Sequence, residues 1–269
     1  MGQKDGSGNT ALHYAVHGDA ADVVDLLLEA KVDPHARNDA GVTALELASV
    51  NGNVQISQQL LKGGANADQM IGEPGNVLQA ASLRGDARMV WMLLTEGANP
   101  NIISGKYGSA LQAAAFAGRH DIIDLLLDPK FQTNVNLEGG EYGTAALQAA
   151  SSRGHMAIAE LLLQHGANIN INGGEKGSPL QSAIAWGHDK VITLLLDNQA
   201  DININVNGQD DKGNTALHLA SEKGSLNYVE ALLECGADRE KRDVEGRSAL
   251  HRAAGALHKS VVRILLKNG

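Results

Sequence analysis

Three features of this 269-residue chain offer residue types that could do chemistry. Gly6-Ser7-Gly8-Asn9-Thr10-Ala11 fits the G-x-G-x-x-A spacing, in which glycines let a backbone approach a pyrophosphate at a helix N-terminus. The stretch Asn203 to Asn214 places Gly208 sixth in a twelve-residue frame, where a calcium loop makes its sharp turn. Ten histidines and a single cysteine, Cys235, are ligand or nucleophile types. None of these completes a site. No strand pattern leads into Gly6, and a hairpin turn plus a helix cap explains the motif. The calcium frame puts Asn203 first and Asn214 twelfth, where acids are needed. The histidines show neither H-E-x-x-H nor a ligand-spaced cluster, and Cys235 has no neighbouring histidine or second cysteine. No catalysis, metal or cofactor is expected, nor a small-molecule substrate.

The composition points away from a conventional core. Aromatics are only 3% of the chain, and 31 glycines stand against 5 prolines. Alanine and leucine must therefore do the packing, which suits helices lying close together with frequent ends. One cysteine excludes a disulfide framework, and no apolar run approaches a membrane span. A cytoplasmic protein, with the nucleus as the other compartment, is the expectation. The net charge of −9 argues against general nucleic-acid binding. The charge is uneven, since residues 238–269 carry +4 and residues 1–237 carry −13.

The elements that must position any functional residue come from an internal repeat. Eight anchor leucines, Leu12, Leu45, Leu78, Leu111, Leu147, Leu180, Leu217 and Leu250, stand 33 to 37 residues apart. A Leu pair follows each anchor by 15 and 16 residues. Thr10, Thr43, Asn76, Ser109, Ser178, Thr215 and Ser248 precede a His, Glu or Gln by three places, the spacing of a capping box that opens a helix. Copy 5 departs, with Ala145 at the cap. Seven residues after the anchor, six copies carry the glycine that ends a helix; copy 1 has it one place early at Gly18, and copy 8 has Leu257 there. A second apolar helix and a Gly-Ala-Asn/Asp turn complete each unit. Neither helix is long enough to stand alone, so each copy must bury itself against the next.

TALH-x-A at 10–15, TALHLA at 215–220, the helix-ending glycines and the Leu pair followed by G-A-[DN] resemble the ankyrin repeat. The resemblance covers essentially the whole chain. It implies an all-α repeat solenoid with β-hairpin fingers, in eight copies at about 1–38, 39–71, 72–104, 105–140, 141–173, 174–210, 211–243 and 244–269. Copies 3 to 6, with Y-G-S-A-L-Q-A-A and its variants, are similar to the ankyrin arrays of filamentous fungi, often the sensor ends of large multidomain proteins. The last copy offers Arg252, His258, Lys259, Arg263 and Lys267 as a polar end cap.

The resemblance further implies a protein partner, held on the concave side by first helices and hairpin tips, and a monomeric chain. The positions that the framework leaves free, five and six residues after the anchor, carry Leu83, Arg84, Phe116, Arg153 and Trp186 in copies 3 to 6. The tips before them add Lys106, Tyr107, Tyr142 and Glu175, with Glu73, Glu141 and Lys176. Half of the eight aromatics thus fall on one expected surface. Aromatic and arginine side chains are the types that dominate interface energies, although Phe116 and Trp186 could equally fill space against a neighbouring copy. Trp91 is expected on the second-helix face. Two other readings remain at this point, a regulatory segment of a larger signalling protein and an architectural spacer.

Overall fold

The computed structural model describes residues 3–70, 75–140, 144–171, 177–197 and 206–267. Among them are sixteen α-helices, two to each copy. The first copy is α1 (Ala11–His17) and α2 (Ala21–Glu29), followed by α3 (Ala44–Val50), α4 (Val54–Lys62), α5 (Val77–Arg84), α6 (Ala87–Thr95), α7 (Ala110–Ala117) and α8 (His120–Leu126). The second four copies comprise α9 (Ala146–Arg153), α10 (Met156–Gln164), α11 (Pro179–Trp186), α12 (Asp189–Asp197), α13 (Ala216–Lys223), α14 (Leu226–Glu234), α15 (Ala249–Gly255) and α16 (Lys259–Lys267). The packing forms two compact units, Met1–Asn134 and Val135–Gly269. The division falls a few residues after Pro129–Phe131, a short 3-10 turn in copy 4, which at 36 residues is longer than its neighbours by three.

Each copy closes its first helix in the same way. Residue eight after the anchor donates its N–H to the carbonyl of an alanine three after the anchor, at 2.9–3.1 Å in all eight copies. That 6→1 bond needs a left-handed residue just before the donor. Five glycines from Gly85 to Gly224 cap their helices there, and Gly52 stands at the same place. Gly18 does not take the role in copy 1. Its φ is −83°, and Asp19 turns left-handed at +52° instead. Leu257 does so in copy 8 at +63°. The geometry is held by the bond and by the two packed helices, so it persists where the side chain opposes it. The eight alanines are all buried, which lets the paired helices approach closely.

The caps at the other end of the helix do more than the sequence suggests. Gln79 Oε1 accepts from Asn76 N at 2.5 Å, and its Nε2 donates to Ile102 O at 2.9 Å and to Gly108 O. The residue after the anchor thus fastens its own cap and the hairpin of the next copy. Gln148 repeats this with Ala145 N at 2.6 Å and Gly177 O, so copy 5 keeps half a capping box although alanine has no side-chain acceptor. His218 does the same through its ring. Nδ1 accepts from Thr215 N at 3.2 Å, and Nε2 donates to Arg247 O at 3.0 Å. The expected fingers appear as single antiparallel bridges, such as Arg37 with Thr43 and Ser104 with Gly108.

Leucines form the interior. Seven anchor leucines are fully buried, as is the first of each Leu pair from Leu60 to Leu232, each worth about 1.5–3 kcal/mol of burial. The expected polar end cap is a different matter. Arg252 turns back onto copy 7 and its own hairpin, with Nη1 on Glu222 Oε2 at 2.8 Å and Nη2 on Asp243 Oδ2 at 2.7 Å. His258 Nε2 donates to Glu222 O at 2.9 Å. With those two engaged, Leu257 and Leu266 are exposed beside Lys259, Arg263 and Lys267, so the outer face of copy 8 mixes apolar and basic side chains.

Candidate partner-binding face

In the first unit the candidate residues gather where α5 and α7 end. Tyr107 sits in the tight turn closed by Ser104 N on Gly108 O at 3.2 Å. Gly108 has φ +82°, and a Cβ there would lie 2.4 Å from Gln112 Oε1, so only glycine brings the turn this close to its cap. The turn lays Tyr107 on Phe116, the penultimate residue of α7, with ring centroids 4.9 Å apart and planes at 49°. Both rings are half-buried. Phe116 is therefore stacked on the tip of its own copy, an arrangement worth about 0.5–1.5 kcal/mol beyond area. Lys106 beside Tyr107 is half-buried too. Leu83 and Arg84 close α5: Leu83 is half-buried, and Arg84 is exposed while its Nη2 donates to Ser49 O at 2.8 Å. That bond anchors the guanidinium to the preceding copy.

In the second unit, Arg153 and Trp186 end α9 and α11. Arg153 is exposed, and Trp186 is 55% exposed, although a tryptophan this accessible loses most of the burial that such a side chain offers. Gly187 follows in the left-handed conformation and turns the chain away. Tyr142 and Glu175 lie outside the described residues, as do the tip residues Glu73, Glu141 and Lys176. Trp91 stands on α6, on the second-helix side as expected, and is 51% exposed.

One set of positions near these residues carries an interaction that one copy alone could not reveal. Arg119 Nε donates to Leu83 O at 3.2 Å, and His188 Nε2 donates to Ser152 O at 3.0 Å. These side chains, eight residues after the anchor, cap the free carbonyls at the end of the preceding first helix. The carbonyl ends next to Arg84 and Arg153 are thereby fixed by a neighbour. The partners are 36 residues apart, so only the repeat period linked them in the sequence.

The first unit thus offers a tilted aromatic pair beside a guanidinium, and the second an exposed tryptophan and a guanidinium, all at helix ends. Among the described residues no group of His, Cys, Asp or Glu could hold a metal ion, and no helix is long and apolar enough to cross a membrane. Cys235 caps α14, half-buried. Asn203, the first residue of the calcium-like frame, is outside the described residues.

The family model described as "Ankyrin repeats (3 copies)" matches residues 1–71, 77–173, 134–206 and 204–269. The crystal structure of the human ASB11 ankyrin repeat domain is similar to this chain at 25% identity and a TM-score of 0.66, covering 85% of this chain and 98% of that one. No curated protein matches the chain in sequence.

Proposed function

We propose, from the premise that this chain belongs to the ankyrin-repeat family, that it is a non-catalytic module gripping a protein partner through the ends of its first helices and the tips before them. Ankyrin repeats are generally protein–protein interaction modules, and the family is typically non-catalytic. The observation that carries the more specific reading is the placing of large side chains where the framework does not require them. At the Phe116 position other copies carry His17, Ser152, Glu222 and Gly255, at the Trp186 position Asn51, Lys223 and Ala256, and the helix ends equally well. Phe116 and its Tyr107 partner make a preorganised apolar step in the first unit, and Trp186 makes an exposed one in the second. Rigid aromatics lose little side-chain entropy on binding. Arg84 and Arg153 add donors for acidic or carbonyl groups of the partner.

The test is capture from a lysate by wild-type chain and by the Phe116→Ala/Trp186→Ala variant, with matched thermal midpoints as the control. Proteins retained by the wild type should be lost from the variant. Retention of the same proteins at the same level by a folded variant would remove these residues from the interface.

A further inference from the structure

We propose that the second unit takes an acidic segment of its partner, with an apolar side chain seated on Trp186 and carboxylates held by Arg153 and Lys223. The inference rests on the first-helix reading above and adds to it the chemistry of what is bound. Its basis is that three successive helix ends of one geometry carry Arg, Trp and Lys in turn.

Arg153, Trp186 and Lys223 are the last residues of α9, α11 and α13. Each is followed by a left-handed glycine, with φ of 74° at Gly154, 75° at Gly187 and 72° at Gly224. Equal backbone geometry sends the three side chains the same way, and α11 packs between α9 and α13. Packed helix axes lie about 8–10 Å apart, which puts the two cations about 16–20 Å from each other with Trp186 midway. All three residues are exposed. A guanidinium has five N–H donors, so Arg153 can hold a carboxylate alongside a framework bond. Lys223 makes no ion pair among the described residues. The helix dipole favours a cation at these ends, but the framework does not require one. His188 Nε2 and His258 Nε2 already donate to the carbonyls of Ser152 and Glu222, and the equivalent ends at Asn51 and Ala117 carry no cation.

Charge selects an acidic occupant. The second helices of the same three copies, α10, α12 and α14, carry Glu160, Asp189, Asp197, Glu230 and Glu234 against Lys190 alone. On the first helices α9, α11 and α13 the one acid is Glu222, and its carboxylate is taken by Arg252 Nη1 at 2.8 Å. An anionic segment is therefore repelled from the second helices and drawn to the row of first-helix ends. Arginine meets a carboxylate with two parallel bonds, and lysine meets it as a point charge. Between them the indole offers an apolar face to an aliphatic or aromatic side chain. An extended chain advances about 3.3 Å per residue, so acids about three residues to either side of the apolar one reach both cations.

Fluorescence polarisation with a labelled peptide tests this. In the probe a central leucine has a glutamate pair about three residues away on each side. In the control peptides the glutamates become glutamines or lysines. The wild type should bind the glutamate peptide about tenfold more tightly than the glutamine peptide, and added salt should erase the preference. Trp186→Ala and Arg153→Gln/Lys223→Gln should each weaken the glutamate peptide about tenfold, with circular dichroism unchanged. Arg153→Glu/Lys223→Glu should reverse the preference and take the lysine peptide, which only a folded surface does. Equal binding of the glutamate and glutamine peptides, or binding of neither, would overturn the proposal. So would a folded charge-reversed variant that keeps the wild-type preference, or tighter binding of a thymidine oligonucleotide than of the glutamate peptide. Capture from a lysate separates this failure from that of the broader reading. If Phe116→Ala/Trp186→Ala releases the captured proteins and Arg153→Gln/Lys223→Gln does not, the first-helix face stands and the acidic partner falls. If neither releases them, both fall.

Discussion

Gln148 and His218 stand at the same place in their copies and hold the same kinds of partner, the N–H of their own cap and a carbonyl of the next hairpin. The middle copies make this rung with a neutral amide that has one acceptor and two donors at every pH. Copy 7 makes it with an imidazole, which accepts and donates at once only while neutral. Next to His218, the hairpin of copy 8 relies on ionised groups. The Asp243 side chain is fully covered and takes Arg247 Nε at 2.9 Å and Arg252 Nη2 at 2.7 Å. One framework is thus fastened by chemistry indifferent to acid at Gln148 and responsive to acid at His218 and its neighbouring hairpin.

Removing Asp243 should break the comparison most severely. Asp243→Ala leaves two guanidinium groups and the N–H groups of Glu245 and Arg247 without their acceptor. A loss of about 3 kcal/mol in urea denaturation is expected. Gln148→Leu comes next, at about 2–3 kcal/mol, because it orphans a buried N–H and a carbonyl while keeping the volume. Gln148→His should recover most of that loss at neutral pH and bring acid sensitivity into the middle of the chain.

The acid response has a definite sign. Burial lowers the pKa of His218 below 6.5, outweighing its bond to the Arg247 carbonyl, which favours the charged ring. A folded value below the unfolded one means that the unfolded chain binds the extra proton. Stability from this group is therefore complete above pH 6.5 and is lost as the pH falls below it. For Asp243, burial would raise the pKa, but the bonds from Arg247 and Arg252 hold it well below the carboxylate range. Its contribution survives mild acid and disappears only at the acid extreme. Between pH 7 and 5, His218→Gln should flatten the fall of the urea midpoint; an unchanged slope would exclude the ring as its source.

The smallest effect is expected at Glu46, the copy-2 residue at the rung position. Burial raises its carboxyl pKa above 4.5, with the Thr43 backbone bond and Arg37 acting against it. Ionisation therefore costs stability as the pH rises through that range, and an ionised carboxylate cannot donate to a hairpin carbonyl. Glu46→Gln should raise stability by up to about 1 kcal/mol at neutral pH, read from the same denaturation curves.

Helix starts, helix ends and the Leu pairs were legible in the sequence because each is a local rule repeated eight times. Asp19 escaped that reading. Its left-handed turn is imposed by the 6→1 bond and packing, and Gly18 offered a more obvious place. The mixed outer face of copy 8 escaped for a similar reason: Arg252 and His258 look like surface charges until their partners 30 and 36 residues away are known. For the candidate site, composition marked Phe116 and Trp186 as irregular letters. Only coordinates show that Tyr107 supports the first and that the second stands 55% exposed.

The central claim is that partner recognition belongs to first-helix ends. Hydrogen exchange of the chain, alone and bound to a protein captured by the wild type, tests it most directly. The account predicts added protection in Ser104–Gly118 and Pro179–Gly187. Protection confined to second helices such as Ala87–Thr95, with those two segments unchanged, would contradict it.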